Sequence, residues 1–183
     1  MPADGVLGPA PSAIDLAAVT WQLGRPVRDV DSVAHRCPCG LPDVVATVPR
    51  LSDGTPFPTT FYLTCPRLAA AIGTLEAGGR MAEMTARMAV DPELAAAHRA
   101  AHQDYLTRRQ RLADVAEIAG TSAGGMPDRV KCLHALVAHA LAAGPGVNPF
   151  GDEALSEVDD RRPAESCGAR WSGRPAGEFG GTG

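Results

Sequence analysis

Two β-branched runs, Val44 to Val48 and Thr59 to Thr64, flank a stretch that cannot be strand, and this arrangement restricts the fold more than any other part of the chain. The intervening Arg50 to Pro58 carries Asp53-Gly54, a turn signal, and its prolines have no N–H to give a ladder. The runs are therefore expected to pair as an antiparallel hairpin with a long tip. Centring the tip on Asp53-Gly54 sets Cys65 opposite residue 42 and brings it within a few residues of Cys39. Val27, Val30 and Val33 fit extended chain better than helix, so a further strand is expected over residues 31–36.

Beyond Cys65 the period becomes helical. Pro66 suits a first helical position, Leu68, Ile72 and Leu75 repeat on one face, and Gly78-Gly79 closes the segment. Met81, Met84 and Met88 make the next stripe, best read as core filling. Asp91-Pro92-Glu93 combines an N-cap, a proline at N1 and acid in the first turn; the helix it opens is expected to run to residue 118 or 119, with Leu94, Ala101, Tyr105, Leu112 and Val115 inward. A shorter helix from Ser12 or Asp15 to Gly24 and a last one entered at Pro127-Asp128 complete the set. Aromatics are only 4% of the chain, which favours small-residue helix packing over a β-sandwich. The expected fold class is α+β, predominantly helical: a small antiparallel sheet of two to three strands with about four helices. Residues 1–12 read as a disordered leader, 13–152 as a single domain and 153–183 as a disordered tail, because charge, Pro and Gly dominate there.

A net charge of −4 without a long basic run leaves no footprint for nucleic acid. No apolar run approaches the roughly 18 to 20 residues that span a bilayer, and Met1-Pro2-Ala3-Asp4 lacks the regions of a signal peptide. The cytoplasm is the expected compartment, with no membrane insertion. Thiols grouped in a reducing compartment point to metal or redox chemistry before disulfides.

Cys37, Cys39, Cys65 and Cys132 supply the usual ligand count for zinc or an iron–sulfur cluster; Cys167 falls in the expected tail and is set aside. The hairpin folds three of them together and the start of the last helix offers the fourth. Their spacing is not the pair of Cys-x-x-Cys knuckles of a zinc ribbon. Proline beside the ligands, at Pro38 and Pro66, suits a cluster cradle at least as well as zinc. Two metal-free readings stand beside these: buried cysteine as a small hydrophobe, and a Cys37/Cys39 dithiol with His35 and Arg36 favouring the thiolate.

Other groups compete. His98 and His102 have the i, i+4 spacing that can hold a metal, but His98 falls in the apolar stripe and reads as a core histidine. Asp128, Arg129, Lys131 and His134 surround Cys132 and are candidate catalytic residues for an anionic substrate. A helical wheel puts Asp128, Cys132 and His139 on one flank and His134 on the opposite one. The plainer reading makes Asp128 a helix cap and Lys131 part of a solvated face. Gly124-Gly125 ahead of a helix could cradle an anion, although it lacks the spacing of a phosphate loop.

The blocks His35-Arg36-Cys37-Pro38-Cys39-Gly40-Leu41-Pro42, Asp53 to Thr59 with Tyr62-Leu63-Thr64-Cys65-Pro66, and Gly125 to His134 resemble those of the bacterial domain-of-unknown-function 501 family, found widely in actinobacteria. The resemblance covers about residues 14 to 155. It implies no activity and no catalytic residues; the genomic neighbours of its members, enolase, a septum-formation initiator and an exopolyphosphatase, are context only. Three readings follow: a metal protein with a four-cysteine iron–sulfur or zinc site of structural or redox-sensing role, an enzyme acting on a phosphate-containing small anionic ligand beside that site, and an adaptor docking a protein partner of the division or envelope machinery on the long helix.

Overall fold

A computed structural model describes residues 4–159. The chain begins with a small antiparallel ribbon, β1 (Asp4–Gly5) and β2 (Gly8–Pro9), inside the stretch expected to be a mobile leader. The ribbon is held onto the next strand by the Val6 N–H, which donates to Asp31 Oδ2 at 3.1 Å. Helix α1 (Ala13–Leu23) starts at Ser12 with a capping box: the Asp15 N–H donates to Ser12 Oγ, and the Ser12 N–H donates to Asp15 Oδ2. It stops at Gly24, whose left-handed φ of 66° favours glycine.

Strands β3 (Val30–Arg36), β4 (Pro42–Thr47) and β5 (Phe61–Leu63) form one antiparallel sheet in the order β3-β4-β5. Val44 pairs with Leu63, Val45 with Tyr62 and Ala46 with Phe61, the register expected of a tip centred on Asp53-Gly54. The central strand β4 is buried along its whole length because both faces are covered. Val44, Ala46, Phe61 and Leu63 join the main core beneath the helices. Val45 and Tyr62 line a small pocket on the other face with Leu23 and Val27.

Helices α2 (Pro66–Ala77) and α3 (Arg80–Val90) follow, joined through Gly78 and Gly79, with Leu68, Ile72, Leu75 and Met84 buried in the core. In α4 (Pro92–Leu112) the Asp91 side chain accepts from the Glu93 and Leu94 N–H groups, as the start signal predicts. This helix ends earlier than expected. The guanidinium of buried Arg109 takes the carbonyls of Ile118 and Thr121, folding the chain back so that Ala113 is extended and residues 116–118 are a single 3₁₀ turn. Its inward face is also more polar than the apolar period implied: His98, His102 and Arg109 are buried with Ala101 and Tyr105.

The last expected helix starts later than Pro127-Asp128: α5 spans Leu133–Ala143. A further helix, α6 (Pro149–Asp159), overturns the expectation of disorder for residues 153–159 and makes six α-helices among the described residues, where about four were expected. Glu153 and Glu157, whose charge suggested a solvated tail, pair instead with Arg80 and Arg87 of α3, with Arg87 to Glu153 at 2.6 Å. Phe150, Ala154 and Val158 are buried beneath them. Gly151 allows the close crossing of α5 and α6, since a Cβ there would meet the Leu136 carbonyl oxygen at 2.4 Å. Residues 160–183, with Cys167, lie outside the described part. No helix of the described residues is long and apolar enough to cross a membrane.

Candidate metal centre

Residues 127–132 are not helical. Cys132 is extended, with φ −151° and ψ 110°, and serves as the N-cap of α5 without a side-chain capping bond. Its N–H and that of Lys131 both donate to the Gly124 carbonyl. The cap comes from another helix: the Leu133 N–H donates to Oε1 of Glu76, in the last turn of α2, at 2.6 Å. A carboxylate is unfavourable at the C-terminal end of its own helix dipole. Here the N-terminus of α5 offsets it.

Glu76 also faces His134, whose Nδ1 lies 3.2 Å from Oε1. The other ring nitrogen, Nε2, lies 3.0 Å from the Ala69 carbonyl oxygen. A carbonyl can only accept, so Nε2 carries the hydrogen and donates it. Nδ1 is therefore the atom left to meet Glu76 and Cys132. One donor atom each from Glu76, Cys132 and His134 lie within 4.8 Å of one another, and all three residues are half-buried. Hydrogen bonding with Cys132 first, against the opposing effect of burial, and then the Glu76 carboxylate push the His134 pKa up to about 9. A proton on Nδ1 satisfies the thiol and the carboxylate together.

The wheel that separated His134 from Cys132 assumed helix through residue 132. With Cys132 extended, that assumption fails and the two side chains meet. The other cysteines are placed elsewhere. Cys65 is 2% exposed, caps α2 and belongs to the main core. Cys39 packs with Ala18 and Leu41 in a separate small cluster. Cys37 sits in the β3–β4 turn, where its N–H donates to the Leu41 carbonyl. Among the described residues there is no clear four-cysteine site, and the three-donor group takes only Cys132 from the expected set.

Near the Cys37 turn, His35 Nδ1 lies 2.7 Å from Asp43 Oδ1, and Arg36 makes a two-pronged ion pair with Asp15 at 2.6 and 3.0 Å. Burial would raise the Asp15 pKa, but Arg36 and Ser12 hold it below the usual range. His98 is a core histidine as expected, fully buried edge-on to Phe150. His102 donates from Nδ1 to Ser122 Oγ at 2.8 Å, and the Ser122 hydroxyl donates to the Met126 carbonyl. Asp128, Arg129 and Lys131 are exposed along one cleft, and His134 is not among its lining residues. His139 is buried between β5 and α4. Glu76 was not among the sequence candidates; its one signal is an acidic residue in the last turn of a helix.

Fold and site together define an α+β protein with a mixed nitrogen, oxygen and sulfur donor group where two helices meet. The chain belongs to the family described as Protein of unknown function (DUF501), whose model matches residues 33–156, a span that contains all three donors. No curated protein and no solved structure matches it.

Proposed function

We propose that the protein is a metal-binding protein in which Glu76, Cys132 and His134 hold a divalent transition metal, zinc by preference, at the junction of α2 and α5. The observation that carries this reading is the convergence of three chemically different donors within 4.8 Å while the spare nitrogen of His134 is committed to the Ala69 carbonyl. Metal-binding histidines ordinarily give their second N–H to such an acceptor, which fixes the tautomer and aims the free nitrogen. The Leu133 N–H orients the Glu76 carboxylate in the same way. Imidazole, thiolate and carboxylate together suit zinc, whereas a cluster needs mainly thiolates.

A nucleophile relay fits less well. That chemistry needs the imidazole between thiol and carboxylate, with one nitrogen for each. Here one nitrogen faces Glu76 and the other a backbone carbonyl. Bound zinc would supply Lewis acidity and a staple between two helices. The chain's part is to bring the three side chains together, keep them half-buried so that an ion can enter from solvent, and leave room for a fourth ligand.

Metal analysis and cobalt substitution test this reading. The wild type is expected to retain one zinc per chain and, with cobalt, to show thiolate-to-metal charge transfer in the near ultraviolet. Cys132→Ser should remove that band and His134→Ala should weaken binding, while Cys65→Ser leaves both unchanged. A folded wild type that binds neither ion stoichiometrically would refute the proposal.

A further inference from the structure

A cleft of about 520 Å³ lies between the turn at residues 121–126 and the segment 128–131, a size suited to a small molecule. We propose that it is a second site, which binds the phosphate group of a small phosphorylated metabolite through the Arg129 and Lys131 side chains and the backbone N–H groups of residues 122–125. The proposal does not depend on the metal reading.

The turn sorts its backbone groups by sign. Its carbonyls are used internally: Ala123 accepts from the Met126 N–H, Gly124 from Lys131 and Cys132, and Gly125 from Arg129. The N–H groups of Ser122, Ala123, Gly124 and Gly125 find no acceptor among the described residues. Gly124 and Gly125 have φ of 70° and 90°, a backbone conformation that favours glycine at both positions. Neither can gain a side chain cheaply, because a Cβ would meet Leu136 or Lys131 at 2.7 Å.

The side chains add charge of the same sign. Arg36, Arg50, Arg80, Arg87 and Arg108 are each paired with a carboxylate. Arg129 and Lys131 are exposed on the cleft and make no ion pair among the described residues. Behind the turn, Arg109 is 2% exposed and is met by carbonyl dipoles, with no carboxylate partner among the described residues. The Thr121–Ser122 peptide is trans, so with its carbonyl on Arg109 the Ser122 N–H points away from that cation. Asp128 is the one carboxylate lining the cleft. It opposes a bare polyanion and offers an acceptor to a hydroxyl beside the phosphate, which favours a phosphorylated sugar or polyol.

Calorimetric titration of the full chain with ribose 5-phosphate, inorganic phosphate and ribose tests the site. The protein is first depleted of metal and kept in chelator, and the titration is repeated on Cys132→Ser, so that an anion bound only through a metal is told apart. Ribose 5-phosphate should bind more tightly than inorganic phosphate, and ribose should not bind. Loss of a charge-assisted contact in Arg129→Ala or Lys131→Ala should weaken binding about tenfold each, with unchanged thermal unfolding, while Arg28→Ala behaves as wild type. No binding by the wild type at about 10 mM, an equal loss in Arg28→Ala, or binding that vanishes with the metal would each overturn the proposal.

Discussion

His139 with Asp104 and His134 with Glu76 are two histidine–carboxylate pairs with opposite electrostatics. His139 is fully buried, its Nε2 donates to Asp104 Oδ2 at 2.8 Å, Asn148 Nδ2 donates to its Nδ1 at 3.2 Å, and the ring stacks on Phe61. Every polar atom of the ring is satisfied in the neutral form, and burial pushes its pKa down despite Asp104. His134 has a side chain 33% exposed, a thiol as third partner and a pKa pushed up to about 9. The chemical pair is the same in both places. What differs is whether the surroundings complete the neutral ring or leave a nitrogen facing acceptors, so the first pair favours the neutral imidazole and the second the protonated one.

The largest expected difference between them is in stability. His139→Ala removes a stacked ring and strands Asp104 and Asn148, at a cost of about 3 kcal/mol or more, whereas His134→Ala in metal-free protein, measured above pH 9 where the charged ring no longer contributes, should cost about 1 kcal/mol. Equal losses in urea unfolding would break the comparison. If zinc binds as proposed, then at roughly 100 times its Kd it should add about 2.7 kcal/mol to the wild type and much less to His134→Ala, while the loss caused by His139→Ala stays the same.

The two pairs should also titrate with opposite sign. The folded value for His134, raised to about 9 from 6.5, means that its contribution is fully present below pH 6.5 and is lost as pH rises through about 9. For His139 the folded value lies below 6.5, so its contribution is present above that pH and is lost as pH falls below it. Imidazole NMR titration of metal-free protein checks both, and a His134 midpoint near 6.5 would sink the first. Zinc bound as proposed would compete with the same Nδ1 proton, so its affinity should climb with pH up to about 9. The smallest effect belongs to Glu76→Gln, which keeps an acceptor for the Leu133 N–H and should cost under about 1 kcal/mol. It should nevertheless weaken zinc measurably, by competition titration.

Much of the frame was legible because local chemistry enforces it. Asp53-Gly54 and the flanking β-branched runs set the hairpin register. Ser12 with Asp15, and Asp91-Pro92-Glu93, mark helix starts at the positions observed. Burial of His98 and of Met84 also followed from periodicity. Failures occurred where a distant group overrode a local preference. Arg109 ended α4 early by taking carbonyls beyond it, and Arg80 and Arg87 made a helix of a segment whose glutamates read as solvated.

The sequence by itself determined a small antiparallel sheet roofed by helices, the caps that bound those helices, and the presence of thiol and imidazole near residue 132. Caps, turns and hydrophobic periods act over a few residues, so they survive translation from sequence to structure. Only the tertiary structure decided which donors meet. Glu76 and His134 lie far apart along the chain, and they meet because the C-terminal end of α2 abuts the N-terminus of α5, where a carboxylate satisfies an open N–H and draws the histidine to itself. Cys39 and Cys65 pack against different apolar clusters, and among the described residues the three-donor group takes neither of them.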